Sequence, residues 1–385
     1  MACEQLTRLG DVIELEDVKR EPISSRDRKD RKGSYPYYGA QGIVDYLDDY
    51  TYEGDYLLVA EDGENLRSRK NPIANAASGK FRVNNHAHVI AESEKCNLVF
   101  LRHLLNMTDI SAYVTGSTQP KLSQSNLCAM KLPLPSMAEQ NAIANVLSLF
   151  DRKIELNNQL NDYLLELISS VFAHRFSSNV NTTDLKNVLS ISTKALKPQE
   201  HASEIWEHYS IPAFDEKHRP IFEPASEIKS NKYQIDNECI LISKLNPSTK
   251  RIWMPYCSSN NAVCSTEFIV YRPYLKEYKS FYYAAIDSPG FTDYLLEHVS
   301  GSTGSRQRAQ PKDTLHYLMP NPSNEEIKNF CTFADPIYRH VQINEQQTAK
   351  LELLRDTLLP KLMSGEIDVS KVDLTQLTNN HLADC

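Results

Sequence analysis

At 385 residues the chain has room for two domains, each large enough for its own core. A net charge of −8 argues against a protein that coats nucleic acid unaided, but leaves room for local basic patches or a partner that supplies phosphate contacts. The eight cysteines are scattered without a CxxC pair or histidines at zinc-ligand spacing, the apolar runs fall short of a membrane span, and the N-terminus lacks an apolar signal segment. The expectation is a cytoplasmic protein with reduced thiols, no structural zinc and no membrane contact.

The first segment, residues 1–136, opens with a basic run. Between Lys19 and Lys32 there are seven basic and three acidic residues, with Arg26, Arg28, Lys29, Arg31 and Lys32 closely grouped. Such a run is either a phosphate-binding patch or a solvated face. A strand is predicted at Tyr56-Leu-Leu-Val-Ala, followed by the turn Glu61-Asp-Gly-Glu-Asn and further cations at Arg67, Arg69, Lys70, Lys80 and Arg82. His86 and His88 alternate along a predicted strand, which fits a packed or solvent-facing pair better than a metal or general-base site. A helix is expected over Leu98–Tyr113. A polar loop containing Gly116, Ser117, Thr118, Gln119 and Lys121 then leads through Leu132-Pro-Leu-Pro-Ser into a long helix.

That helix is expected over residues 137–177, since Ala138–Phe176 holds no Gly or Pro. Ile143, Val146, Phe150, Leu160, Leu164, Leu167 and Val171 fit a heptad seam in which Lys153 and Asn157 are polar. At ~1.5 Å per residue it would be about 55–60 Å long, which suits a spacer.

The rest of the chain repeats this plan. Residues 114–136 and 299–323 both give Val-x-Gly-Ser-Thr, a polar loop, and Pro-x-Pro-Ser before a helix. At an offset of 187 residues Phe150 meets Ile337, Ile154 meets Val341, Leu164 meets Leu351 and Asn157 meets Asn344. Weaker echoes link Leu9-Gly-Asp-Val-Ile to Leu185-Lys-Asn-Val-Leu, and Tyr56-Leu-Leu-Val to Cys239-Ile-Leu-Ile. The predicted organisation is a globular domain at 1–136, a helix at 137–177, a second domain at 178–323 with a helix at Ser280–His298, a second long helix at 324–364 and a polar tail at 365–385. For the second helix to bury its seam against the first it must run antiparallel. The expected fold is therefore α+β, with two pseudo-twofold-related globular domains joined by two long antiparallel coiled-coil helices. Asn157 and Asn344 are candidates for setting helix register.

The usual catalytic constellations are missing. There is no phosphate loop, GxGxxG or HExxH, and Asp335-Pro-Ile-Tyr lacks the second proline of an aminomethylation motif. Two similar but diverged domains on a spacer suit a reader of two separated, unequal DNA half-sites. Candidate contacts are Ser117, Thr118, Gln119 and Lys121 in the first loop, and Ser302, Thr303, Arg306, Gln307, Arg308 and Lys312 in the second. Arg and Lys suit phosphates, and Arg, Gln and Asn suit base edges.

The unit Gly116-Ser-Thr-Gln-Pro-Lys-Leu-Ser, Leu132-Pro-Leu-Pro-Ser and Glu139-Gln-x-Ala-Ile-Ala resembles the target-recognition unit of type I restriction-modification specificity subunits. The ending Leu354-Arg-Asp-Thr-Leu-Leu-Pro-Lys-Leu-Met-Ser-Gly-Glu-Ile resembles theirs too. The resemblance covers about residues 6–369. It implies a non-catalytic subunit whose two target recognition domains each read half of a bipartite site in double-stranded DNA. It also implies two methyltransferase (modification) subunits and a restriction/translocase subunit as partners. S-adenosylmethionine, ATP and Mg would then sit on those partners, with no cofactor in this chain. Two rivals are an enzyme with an unrecognised site and a coiled-coil scaffold that binds only proteins. The second copy departs from the pattern, with Ser305-Arg-Gln-Arg-Ala-Gln before Pro311.

Overall fold

The computed structural model describes residues 6–178, 181–300 and 307–369. The chain divides into two compact units, Met1–Ile154 with Lys350–Cys385, and Glu155–Ala349. Each mixes strands and helices, and each is built on the same plan.

In the first unit a six-stranded sheet runs in the order Glu14–Leu15, Ala87–Ala91, Tyr52–Ala60, Ala74–Val83, Lys32–Gly39, Gly42–Leu47. All neighbours are antiparallel except Lys32–Gly39 beside Ala74–Val83. Tyr52 pairs with Phe81 and Ala60 with Ala87, so Val83 and Ala87 belong to opposite ends of one nine-residue strand. Only Asn84–His86 separates them. A straight strand would hold them roughly 25 Å apart, beyond the reach of four residues at ~3.5 Å each. The sheet must therefore curl on itself. Its bend falls at Gly54 and Gly79, which face each other with φ of +127° and +78°, a conformation other residues adopt only with strain.

Inside the curl, Tyr52, Leu58, Phe81, Val83 and Val89 form one buried cluster, with the Tyr52 and Phe81 rings stacked at 5.4 Å. The other face packs Leu57, Val59 and Ile90 against Phe100, Leu101 and Leu104 of the helix Leu98–Met107, and against Ile143, Leu147, Phe150, Leu351 and Leu359 of the long helices. The shorter helix starts at Asn97, whose side chain accepts from Phe100 N, and it ends six residues before the predicted limit; Ser111–Tyr113 forms a separate turn.

The second unit repeats these pairings with its sheet in two pieces: Leu189–Ser192, Phe268–Pro273, Ile240–Ser243, Ile252–Trp253; and Ala195–Leu196, Lys232–Gln234, Ala262–Ser265, Ile205–Tyr209, Ile221–Pro224. The parallel pair recurs, with Tyr209 beside Cys264 as Tyr38 is beside Val83. The Leu9 and Leu185 echoes are the same buried 3-10 turn. Leu6–Arg8 pairs with Lys131–Pro133, and Thr182–Asp184 pairs with Leu318–Pro320. The helix expected over Ser280–His298 is two helices, Lys279–Ile286 and Pro289–Glu297, because Pro289 starts a new helix capped by Ser288.

The long helices span Met137–Phe176 and Asn324–Met363, 40 residues each. Both begin with a reciprocal cap: Ser136 Oγ and N donate to Glu139 Oε2 at 2.7 and 3.0 Å, and Ser323 Oγ and N donate to Glu326 Oε2 at 2.7 and 2.9 Å. Each cap stabilises its helix by roughly 0.5–2 kcal/mol. Within the second unit the helices run antiparallel, since Asn157 bonds to Gln347 and Thr348 while Asn161 bonds to Val341 and Asn344.

The predicted seam is corrected beyond Phe150. Asn157 of that seam is buried and Val171 packs on the second unit's core as expected, but Leu160 and Leu167 are 41% and 45% exposed, and Asn161, Ile168, Phe172 and Phe176 lie on the buried face instead. Burial in this helix repeats every 11 residues: Val146, Asn157 and Ile168 form one series, and Phe150, Asn161 and Phe172 another. An 11-residue repeat is about 3.67 residues per turn, close to a straight α-helix, whereas the heptad assumption of 3.5 drifts off the packed face within a few turns.

Candidate nucleic-acid interface

In the first unit, four turns are tied together at one end of the curled sheet. The hairpin between Lys32–Gly39 and Gly42–Leu47 closes on Ala40 and Gln41. Beside it, Asn84 N donates to Tyr38 O at 3.0 Å. The turn Asn84–His86 is joined in turn to the next one, because Glu61 N donates to His86 O at 2.9 Å and the His86 imidazole Nδ1 lies 2.7 Å from Asp62 Oδ2. Gly63 N then reaches Pro120 O at 3.1 Å, in the Gly-Ser-Thr loop.

That loop is a closed hairpin: Thr115 and Lys121 exchange two backbone hydrogen bonds of 2.8 Å. Gly116 has φ +86°, and a Cβ there would stand 2.2 Å from Gln119 O. Glycine is thus required at that position by geometry alone. Arg67 donates to the backbone carbonyls of Gly116 and Ser117, fixing the loop from outside. Ser117, Thr118 and Gln119 form the exposed tip, and their side chains make no hydrogen bond among the described residues. The Lys121 ammonium sits 3.1 Å from Glu61, whose carboxyl is raised by burial but brought below its ordinary value on balance by Arg20 and Lys121.

The basic run is not a free cationic patch. Arg28 and Lys32 both pair with Asp45, at 3.0 and 2.5 Å, and Lys32 leads the interactions that hold that carboxyl down at about 2. Arg31 pairs with Asp48 and Asp49 at 3.2 and 2.7 Å. Arg82 is buried between Glu21 and Asp49, and Lys80 lies 4.6 Å from the Tyr50 ring. Only Arg26 and Lys29 of the first cluster are exposed without an ion pair among the described residues. Arg69 has a structural position, with φ +52° and its guanidinium on the carbonyls of Leu105 and Asn106 at 3.0 and 2.7 Å.

The second unit matches this scaffold with other side chains. Lys244 N donates to Glu267 O at 2.9 Å, as Glu61 N does to His86 O. Arg308 bridges to Leu245 as Lys121 bridges to Asp62, and its guanidinium lies 3.1 Å from Glu267. Gln307 O accepts from Asn246 N at 2.9 Å. Lys312 is exposed without an ion pair among the described residues and lines an open cleft of about 720 Å³ with Lys186, Ser190 and Tyr274. Ser302, Thr303 and Arg306 lie outside the described residues. Asn157 and Asn344 are both buried but do not pair with each other; Asn157 Nδ2 reaches Gln347 at 2.9 Å, and Asn344 Nδ2 reaches Asn161 at 2.8 Å.

Gln41 and Asn85, exposed on turns at this end of the sheet, are not among the candidates read from the sequence, which takes His86 only as half of a packed or solvent-facing pair. His88 is buried, with Asp17 at 2.7 Å and Leu122 O at 2.8 Å, while His86 two residues away is exposed. The available signals were the Gly39-Ala-Gln-Gly42 and Asn84-Asn85 turn compositions. Among the described residues no group of three or more His, Cys, Asp or Glu could hold a metal ion, and no helix is long and apolar enough to cross a membrane.

Residues 5–166 match the family model for the type I restriction modification DNA specificity domain. A putative type I restriction enzyme specificity subunit of Haemophilus influenzae is 37% identical over 139 residues, covering 36% of this chain and 35% of that one. The match thus spans about a third of that relative's length. The type I restriction enzyme MjaIX specificity subunit of Methanocaldococcus jannaschii is 23% identical over 352 residues, covering 82% of this chain and 80% of that protein. The crystal structure of a type I restriction-modification S subunit from M. genitalium has the same fold, with a TM-score of 0.58 at 19% identity over 93% of this chain and 95% of the other.

Proposed function

We propose that the chain is a type I restriction-modification specificity subunit, the sequence-reading, non-catalytic member of a multisubunit methyltransferase and endonuclease, as its similarity to the specificity-domain model and to specificity subunits supports. Each unit reads one half of a bipartite, asymmetric site in double-stranded DNA.

The observation that carries this reading is a repeated backbone with unrepeated side chains. Glu61, His86 and Lys121 occupy the places of Lys244, Glu267 and Arg308, while the backbone hydrogen bonds at those places are kept. Folding needs the shared backbone. Reading two different short sequences needs side chains that differ.

A second surface serves the partners. Leu156, Leu160, Tyr163 and Leu167 are 50%, 41%, 68% and 45% exposed on the first long helix, at a spacing that places them on one face. A contiguous apolar stripe of this kind on a helix is a protein-binding surface. It is the dock for two modification subunits, which supply S-adenosylmethionine-dependent adenine methylation. A restriction subunit joins through them and brings ATP, Mg, translocation and cleavage.

The test is a domain exchange in the assembled complex. Residues 1–136 are replaced by the corresponding stretch of a relative with a different target, and modified adenines are mapped across the host genome. One half of the methylated sequence should change and the other should stay. If both halves change, independent reading by the two units is wrong.

A further inference from the structure

We propose that Gln41, Asn85 and His86 read base edges in the half-site of the first unit, alongside the Ser117–Gln119 tip; this rests on the DNA-reading function above. All three side chains are exposed on turns that backbone hydrogen bonds tie to the Gly-Ser-Thr loop. Gln41 and Asn85 make no side-chain hydrogen bond among the described residues, so their amides keep a full set of donors and acceptors for a ligand.

Their placement is firm even though their side chains are unengaged. The Asn84–His86 turn is held at both ends, by Asn84 N on Tyr38 O and by Glu61 N on His86 O, and within by His86 N on Asn84 Oδ1 at 2.8 Å. Asp62 occupies the His86 Nδ1 and leaves Nε2 facing away from the carboxylate. A reader needs this combination, since a mobile side chain would lose its selectivity to ordering entropy.

The comparison between units shows that these side chains are not what folding requires. The hydrogen bond that fixes His86 recurs at Glu267 with the same 2.9 Å length, but histidine has become glutamate, and that glutamate holds Arg308. At the hairpin tip the two-residue turn of the first unit is replaced by the helix Ile211–Lys217, which follows Tyr209 where Gly39 follows Tyr38. At His86 the side chain therefore changes on a kept backbone hydrogen bond, and at the hairpin tip the backbone itself changes.

The chemistry favours base edges over phosphate as the ligand. Gln and Asn amides match adenine N6 and N7 in the major groove, and the imidazole Nε2 offers one further polar atom to a base edge. None of the three is a fixed cation. Phosphate contacts fall instead to residues such as Arg26 and Lys29.

The test selects binding sites from a randomised duplex library, using the full chain assembled with its modification subunits. The wild-type complex should return a bipartite motif. Asn85→Ala and Gln41→Ala should each relax one or two neighbouring positions in one half and weaken binding to the wild-type site by about 10- to 100-fold, with the other half unchanged. Asn85→Thr, which installs the residue type found at Thr266, should shift the preferred base with no change in the melting temperature. An unchanged motif and affinity would overturn the proposal. So would an equal loss of affinity for every sequence, which marks a phosphate contact or a damaged fold. A wild-type complex that returns no motif at all would instead overturn the DNA-reading function on which it rests.

Discussion

Replacing Asp151 with asparagine should destabilise the first unit by about 2 kcal/mol at pH 7, and the loss should fade in acid. Asp151 lies on the first long helix, where it accepts from Arg102, from His103 Nε2 at 2.9 Å and from Arg355 Nη1 at 2.9 Å. It thereby ties the helix Leu98–Met107 and both long helices together inside one unit. Burial alone would raise its pKa, but the His103 hydrogen bond, the charges of His103 and Arg102 and the Arg355 hydrogen bond outweigh this and hold it at about 2, against an ordinary 3.8. With the folded value depressed, the stabilisation is complete well above the unfolded pKa and disappears as pH falls through the folded one. The difference of nearly two units corresponds to about 2 kcal/mol at neutral pH, and only about half of that survives at pH 3. Urea titrations of wild type and Asp151→Asn, followed by far-ultraviolet circular dichroism at pH 7, 4 and 3, measure the gap directly. A gap under about 0.5 kcal/mol at pH 7, or one that stays constant down to pH 3, would refute the assignment of the shift to this ion network.

Two further perturbations separate loop geometry from helix packing. Gly116→Ala should cost about 1–3 kcal/mol locally, because the new methyl group meets Gln119 O and φ is +86°. Amide exchange at Thr115 and Lys121 should speed up while the sheet amides stay protected; unchanged exchange there would mean the loop does not depend on glycine. Asn157→Ala should lower stability by about 1–3 kcal/mol, since it removes the hydrogen bonds that the buried Asn157 Nδ2 gives to Gln347 and to the buried Thr348. Thermal melting checks this, and an unaltered melting temperature would place water in that layer.

The exposed stripe on the first long helix explains the one clear failure of periodicity. Leu160 and Leu167 carry the apolar character expected of a seam but face outward. Pattern alone cannot tell a helix face that packs inside the chain from one that receives another chain. Two apolar stripes close together on one helix blur into a single broad one. Of the predicted seam beyond Phe150, Asn157 sits on the packed face, together with Asn161 one turn on.

What the sequence by itself determined was the architecture of the repeat. The paired Gly-Ser-Thr loops, the Pro-x-Pro-Ser helix entries and the two long helices are local features. Each depends on residues within a few positions of one another, so the chain states them wherever they occur. Tertiary structure decided the fate of individual charged and polar side chains. Arg28, Lys32 and Arg31 look like a free basic patch in the chain, and Asp45, Asp48 and Asp49, arriving from the next strands, neutralise them. His86 and His88 alternate in sequence, and only the curl of the sheet decides that one is buried against Asp17 while the other faces outward beside Asn85. Hydrogen bonds and ion pairs act over about 3 Å between residues tens of positions apart. The site is a property of the closed fold, and the repeat is a property of the chain.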